Sequence, residues 1–554
     1  MKLRGATPLV ASIGRPARSI RAGLPPFPFL IPGLLLAAGT LLPVAYLALR
    51  ALGAEDLAEL LLRPRTAGVL LRTLALALSV TAASACLSVP LAWLTLRTDL
   101  PGRRVWAVLG ILPLVVPSYV GGFAVIAALG PRGVLQTVLQ PLGVERLPEI
   151  YGFPGAFLTL TLFSYPYMLL AVRAALLGLD PSFEEAARTL GQSPWGSFRR
   201  VVLPQLKPAL AAGGLLVGLY TLSDFGAVSL LQYDVFSRAI YVQYRGSLDR
   251  SLAAVLSLVL VLLTVLFLAA ETRVRGRARY HRSAAGTARA ADAHRLGPWR
   301  WPALAFCGAV ALLGVGLPVG VTGYWLAEGL RHGESLGLVL KPLLNSVGVS
   351  VLAAGVTVAV AIPVAVMDVR FPGPVSFLTE RVTYAGFALP PIATALALVF
   401  FAANYVPWLY QTLAMLVLAY VIRFAPQAVG PLRTSLLQVN PHLEEAARSL
   451  GRSPLRTAWA VTVPLVRPGM AAGAALVFLT TMKELPSTLL LSPIGFTTLA
   501  TQTWSATSEA FFARAAASAL LLLLFSSLSL PFVLRGEGGT GTGRFARRRA
   551  RRPG

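Results

Sequence analysis

Two carboxylates stand in otherwise apolar stretches of the chain at matching places. Asp224 lies in Ser223-Asp224-Phe225-Gly226-Ala227-Val228 and Glu484 in Met482-Lys483-Glu484-Leu485-Pro486-Ser487, 260 positions apart. An ionisable group at the centre of a bilayer costs roughly 2.5–3.5 kcal/mol on insertion scales, so each invites a functional explanation. Two acids related by an internal repeat suit a path or gate for a cation, with Ser223 and Lys483 as their neighbours. A structural pairing with Lys483, or a place at a wet helix end, accounts for the same residues. Lys483 beside Glu484 also argues against a bare ring of negative charge. The stretch from Pro208 to Asp224 is about 16 residues, roughly 24 Å of helix, and leaves the depth open.

Other chemistry has little material to work with. Four scattered histidines (His281, His294, His332, His442) and two cysteines inside apolar runs (Cys86, Cys307) form no metal-ligand spacing and no disulfide framework. No residue is assigned as a metal ligand. The lysines stand at 2, 207, 341 and 483, and none follows a glycine. The Gly-Lys-Ser/Thr phosphate loop is therefore missing from the sequence, and ATP hydrolysis is expected on another polypeptide.

A second constellation is polar and occurs twice. Glu184-Glu185-Ala186-Ala187-Arg188-Thr189-Leu190-Gly191-Gln192-Ser193-Pro194 returns 260 positions later as Glu444-Glu445-Ala446-Ala447-Arg448-Ser449-Leu450-Gly451-Arg452-Ser453-Pro454, identical at nine of eleven positions. Its neighbours share mostly hydrophobicity, so the loop carries a constraint of its own. Asp180-Pro181 and Asn440-Pro441 each place a capping residue before a first-turn proline, and Gly191 and Gly451 stand where a left-handed residue ends a helix. Between them Phe183, Ala186, Ala187 and Leu190, and again Leu443, Ala446, Ala447 and Leu450, fall at i, i+3, i+4, i+7 and predict an apolar face, with Glu184, Glu185 and Arg188 on the opposite one. Ser193-Pro194 and Ser453-Pro454 start a second short helix that runs to Pro204 and Pro464. A capped polar helix repeated within an apolar chain reads as a docking element.

The elements that must hold these residues are membrane spans. The chain of 554 residues is 56% hydrophobic and only 13% charged, where soluble proteins carry about 25% charge. Spans are expected near residues 27–49, 73–96, 105–130, 153–173, 208–232 and 251–271, and again near 301–327, 343–367, 382–402, 408–426, 467–491 and 514–534. The uncharged run 382–422 is too long for one helix, and Asn404 to Pro407 divides it. A basic region followed by an apolar one opens the chain, and the length of that uncharged run favours an uncleaved first span over a signal peptide. The layout gives an all-α polytopic fold of about 12 transmembrane helices in two six-span repeats, 1–272 and 301–535, with a basic linker at 273–300 and a basic tail at 536–554.

The net charge of +26 sits in blocks between the apolar runs, which places those blocks, both termini and both polar loops on the cytoplasmic side. Glu380-Arg381 and Arg423 are expected on that side too. Six spans between the two loops make the repeat parallel. No aromatic-basic module accompanies the charge, so nucleic acid is not expected as a partner; anionic membrane lipids are. Thr73 to Pro90 echoes Ser346 to Pro363.

The spacing Glu185-Ala186-Ala187, Gly191, Val201, Leu203-Pro204, and again Glu445-Ala446-Ala447, Gly451, Val461, Val463-Pro464, resembles the EAA loop of permease subunits of ATP-binding-cassette importers. The departures are valine for the usual isoleucine in both copies and Val463 for leucine, all apolar and branched. The resemblance implies a type I importer permease fold. It also implies that residues 180–208 and 440–468 couple the chain to ATPases through Glu184, Glu185, Ala186, Ala187, Leu190, Gly191 and Pro204, and through Glu444, Glu445, Ala446, Ala447, Leu450, Gly451 and Pro464.

Two copies of a cytoplasmic ABC ATPase carrying ATP and Mg, a periplasmic or lipid-anchored substrate-binding protein, and a place in the bacterial cytoplasmic (inner) membrane follow from the same resemblance. Residues 232–250 and 492–511 are its candidate contacts for the binding protein. The sequences around Ser223 to Val228 and Met482 to Leu491, with Gly495-Phe496-Thr497-Thr498-Leu499-Ala500, are similar to fused permeases of ferric-iron importers, whose relatives carry thiamine, polyamines or phosphonates. An ion-driven secondary transporter also has two sets of six spans, and a membrane scaffold is a further alternative. Neither needs two matched polar loops.

Overall fold

Proline and glycine decide where the long apolar runs become helices and where they break. The computed structural model describes residues 25–53, 59, 63–131, 133–144, 146–180, 182–246, 251–276, 294–335 and 337–528. The N-terminal basic block, most of the 273–300 linker and the 536–554 tail lie outside the described residues.

The first half contains α1 (Phe27–Leu52), α2 (Pro64–Arg97), α3 (Arg103–Ile111), α4 (Ser118–Leu129), α5 (Phe153–Gly178), α6 (Ser182–Thr189), α7 (Leu203–Ser223), α8 (Gly226–Leu230), α9 (Phe236–Gly246) and α10 (Ser251–Gly276). The second half contains α11 (Arg300–Ala311) and α12 (Leu317–Arg331), joined by a π turn, then α13 (Gly337–Arg370), α14 (Pro374–Ala388), α15 (Pro391–Tyr405), α16 (Leu413–Gln438), α17 (Pro441–Ser449), α18 (Val463–Met482), α19 (Pro486–Leu491), α20 (Leu499–Ser508) and α21 (Phe512–Ser527). Among the described residues, 10 helical segments are long and apolar enough to cross a membrane, and the bent pair α14–α15 makes up to 11. Helix α21 is shorter over its described length and stands where the twelfth span was expected.

The third span of each half departs from the expectation of one continuous helix. In the first half the chain turns between α3 and α4 at Val116-Pro117, and in the second α14 and α15 meet at 107° across Leu389-Pro390. The residue before a proline is pushed out of the α region, and proline brings no N–H to the helical ladder; at Pro117 and Pro390 the run breaks, while Pro43 and Pro90 stay inside continuous helices. Every residue of α4 from Ser118 to Ala128 is buried, as are Pro391 to Phe400 of α15. The broken pieces are wedged into the centre. The break expected at Asn404 to Pro407 is present, between the end of α15 and the start of α16.

Each half is built on a three-helix bundle, α2–α5–α7 in the first and α13–α16–α18 in the second. Close packing there rests on matched small residues. A Cβ at Gly213 of α7 would lie 2.9 Å from Met168 Cα, and one at Gly473 of α18 would lie 3.0 Å from Ala428 Cα. Glycine lets the backbones approach, the usual basis of helix association where lipid removes the hydrophobic driving force. The first spans cross over: α1 packs on α13, α14 and α15 of the second half, while α11 packs on α3 and α12 on α4 of the first. Exposed apolar side chains such as Leu35, Leu41, Leu344 and Val351 cover the outer faces.

The echo between Thr73 and Ser346 has a purpose. Thr73 Oγ1 accepts from the N–H of Phe236 at 3.1 Å, and Ser346 Oγ from the N–H of Leu499 at 2.8 Å. Both hydroxyls thereby satisfy the first amide of the short helices α9 and α20, which have no intrahelical acceptor of their own.

Candidate functional site

The two polar loops form α6 and α17, each closed as the sequence reads. Ser182 N–H donates to Asp180 Oδ1 at 2.9 Å and His442 N–H to Asn440 Oδ1 at 3.1 Å, so the short acidic and amide side chains cap the starts. The Ser182 backbone N–H, and after it the Ser182 side chain, hold the Asp180 carboxyl below its usual range. Gly191 and Gly451 both adopt φ +81°. Beyond them Gln192 N–H returns to Ala187 O at 3.1 Å and Arg452 N–H to Ala447 O at 3.2 Å, the long-range bond of a Schellman end. Ser193 and Ser453 accept from the N–H of Gly196 and Arg456 and start the following helical turn. A π turn then runs to Val202 and Thr462, just before Pro204 and Pro464 enter the first turn of α7 and α18.

The faces of these helices divide differently from the expected pattern. Glu184 and Ala187 are buried, and so is Ala447, while Phe183, Leu190, Leu443 and Leu450 are exposed, Leu190 and Leu450 by more than four-fifths. Glu185, Ala186, Glu445 and Ala446 are exposed as well. One glutamate of each pair therefore turns toward the spanning helices, and the large apolar side chains face away from them. Helical spacing put the two glutamates together because neighbours in sequence lie 100° apart, and only the docked neighbours show which one is inside.

In the second loop, Glu444 Oε1 accepts from Arg370 Nη2 and from Thr462 Oγ1, both at 2.9 Å. In the first, Glu184 Oε2 lies 3.5 Å from His294 Nε2. These three partners were missed as site residues in the sequence. Arg370 closes α13 as Arg97 closes α2, and that match at the ends of two equivalent spans was the available signal.

At the far end of α7 and α18 the two carboxylates cap short helices. Helix α7 ends at Ser223, and Asp224 Oδ1 accepts from the N–H groups of Ala227 at 3.1 Å and Val228 at 3.2 Å, the first turn of α8. Helix α18 ends at Met482, and Glu484 Oε1 accepts from Ser487 Oγ at 3.0 Å and Ser487 N–H at 3.4 Å at the start of α19. Both acids are 7% exposed. They sit at helix breaks, not within continuous spans. Arg423 is also placed otherwise than expected. It lies inside α16, with Nε 3.8 Å from Glu484 Oε2, instead of at the cytoplasmic end of a span. A charge ends an apolar run in sequence, but a partnered charge is tolerated inside one.

The two halves meet at this level. Tyr119 Oη, on α4, donates to Lys483 O at 3.4 Å. A Cβ on Gly226 would come within 2.7 Å of Tyr119 Cβ. Trp504 of the second half packs against Phe225 and Tyr241 of the first, with ring centroids 6.0 Å and 5.8 Å apart.

This pairing of repeated loops and repeated carboxylates coincides with a family match in two stretches. The description "Binding-protein-dependent transport system inner membrane component" fits residues 85–280 and 351–534. The chain belongs to this family. Among similar proteins is the "Fe(3+)-transport system permease protein FbpB 2" of Haemophilus influenzae, 35% identical over 516 residues that cover 92% of this chain and 98% of the relative. The "Ferric transport system permease protein FbpB" of Actinobacillus pleuropneumoniae is 26% identical, over 69% of this chain and 58% of its own. The "Molybdenum transport system permease protein ModB" of Escherichia coli is 34% identical over only 27% of this chain.

Both family matches contain one loop and one carboxylate: α6 and Asp224 in the first, α17 and Glu484 in the second. In this binding-protein-dependent family member, each α7 or α18 thus joins a polar loop at one end to a capped break at the other. Helix α7 alone, at 21 residues, spans roughly 30 Å.

Proposed function

We propose that the chain is the fused permease of a binding-protein-dependent ABC importer for ferric iron. Two copies of a cytoplasmic ATPase, which hold the ATP and Mg, seat on α6 and α17, one on each, and this chain hydrolyses nothing itself. The observation that carries the reading is the pair of Schellman-ended helices that present Phe183 and Leu190, and Leu443 and Leu450, away from the spanning bundle. Exposed apolar anchors on a rigid, capped helix are the form of a helix-in-groove contact. The repeated residues Glu185 and Ala186, and Glu445 and Ala446, lie on the same open side, and Gly191 and Gly451 fix its end.

In this reading both termini, the 273–300 linker and the two loops are cytoplasmic, and Ser223, Asp224, Lys483 and Glu484 form the gate at the opposite side. A carboxylate that caps a short helix at the meeting line of two halves ties the gate's closure to the tilt of α7 and α18. Residues 232–250 and 492–511, which hold α9 and α20, receive the binding protein. Ferric iron is preferred as cargo because the ferric relative covers nearly the whole chain, whereas the molybdenum relative covers about a quarter.

Reconstitution with candidate ATPases and binding protein tests the proposal. ATP-dependent uptake of ferric iron, with an ATPase co-purifying at two per permease, is expected. Uptake of molybdate or thiamine in place of iron would overturn the cargo, and uptake driven by an ion gradient without ATP would overturn the importer reading.

A further inference from the structure

The two coupling helices are anchored by different means, and the difference involves the segment that joins the repeats. At the second, Glu444 is held by Arg370 and Thr462, both residues of its own repeat. At the first, Val202 stands where Thr462 does, and Arg97, the match of Arg370, gives its Nη2 to Leu176 O at 2.9 Å. The place beside Glu184 is taken by His294, from the end of the linker.

That end is fastened in extended form along the α2–α3 turn. His294 N–H donates to Arg97 O at 2.8 Å, Asp99 N–H to His294 O at 3.1 Å, and Leu296 N–H to Asp99 Oδ1 at 2.9 Å. Thr98 and His294 form a parallel bridge. The imidazole stacks on Trp93 with centroids 5.5 Å apart, and Trp93 meets Phe198 of the π turn edge-on at 4.8 Å. One side chain thus touches the end of a spanning helix, the inner glutamate of α6 and, through Trp93, the segment that leads into α7.

We propose that the end of the inter-repeat linker, His294 to Leu296, is a strap on the first coupling helix, with His294 as the positioning residue that stands in for the arginine of the second repeat. The strap lets the first loop transmit motion to α7 although its own repeat does not supply the anchoring pair. The proposal rests on α6 being a coupling helix, and its test must separate the two ideas.

His294→Phe keeps a ring to stack on Trp93 and removes the bond to Glu184, while His294→Arg offers a guanidinium of the kind that serves Glu444. Iron transported per ATP hydrolysed is the readout, in the full chain assembled with its ATPases. His294→Phe should lower it about threefold to tenfold, the factor that one lost side-chain hydrogen bond gives a docking equilibrium, with ATPase still co-purifying. His294→Arg should restore it, and Glu184→Gln should add little to His294→Phe because both remove the same contact.

A ratio unchanged in His294→Phe, or additive losses in the double variant, would overturn the strap. Loss of ATPase association in Leu190→Ser with Leu450→Ser, measured alongside, tests the coupling reading separately. If the ATPase stays bound there, that reading fails whatever His294 does.

Discussion

Arg370, the last residue of α13, donates from Nη2 to Glu444 Oε1 at 2.9 Å and ties the end of a spanning helix to the inner face of α17. Both side chains are mostly buried, at 16% and 14% exposure. Removing one partner of such a pair leaves the other charge without compensation, which costs about 3–5 kcal/mol at full burial. Arg370→Ala should therefore loosen α17 by roughly 2–3 kcal/mol, the worth of a charged hydrogen bond. Hydrogen exchange of the α17 amides is the direct measurement: faster exchange confined to this loop is expected, and unchanged protection would show that the pair does not hold it.

The open faces of α6 and α17 make a different prediction. Leu190 and Leu450 are 83% and 84% exposed, so serine at either position should leave the fold within about 0.5 kcal/mol. The pair of substitutions should nevertheless abolish ATPase co-purification. A thermal melt and a pull-down on the same preparation separate these effects.

Asp224 and Glu484 each serve as a cap, so the choice of substitution decides what is learned. Asp224→Asn and Glu484→Gln retain an acceptor oxygen for α8 and α19 and remove only the charge. We expect both to lower iron uptake without loss of ATPase association. Normal uptake in the double variant would show that neither charge serves uptake and leave both residues as caps. Glu484→Gln also strands Arg423, 3.8 Å away, so its melting temperature should fall further than that of Asp224→Asn.

A Cβ on Gly473 would lie only 3.0 Å from Ala428 Cα, so a side chain there needs the backbones to shift apart. Gly473→Val should force α18 off α16 at a cost of about 1–3 kcal/mol. Lower yield and lower melting temperature are expected, and Ala428→Gly should not restore them, because the nearest atoms, Ala428 Cα at 3.0 Å and O at 3.3 Å, are backbone.

The Asp180 cap has a calculable pH range. Its carboxyl is held below the usual aspartate value of about 3.9 by Ser182. A lowered folded value means that the cap's contribution is fully present above the unfolded value and is lost only as pH falls through the folded one. ATPase association should therefore show no dependence on this group between pH 5 and pH 8. Asp180→Asn should match the unmodified chain at pH 7, whereas Asp180→Ala should weaken association. A difference between Asp180→Asn and the unmodified chain would place the charge itself in the contact.

Composition and uncharged runs were enough to read an all-α membrane protein in two repeats, because a bilayer admits helices whose length its thickness sets. The capped helices α6 and α17 were equally legible. Asp180, Asn440, Gly191 and Gly451 act on backbone groups one to three residues away, so their effect is written locally. Three features were decided only by tertiary packing. Pro117 and Pro390 break the third spans, but prolines 43 and 90 sit inside α1 and α2 without ending them; a break holds where the freed ends find a buried place, as α4 and α15 do.

Which glutamate of each pair faces inward depends on Arg370 and His294, 74 and 110 positions from their partners. Asp224 and Glu484, likewise, were visible as charges in an apolar run. Their caps are local too, but their place is not: Tyr119 of the first half reaches Lys483 O and Trp504 of the second packs on Phe225, so both carboxylates stand where segments of opposite repeats meet.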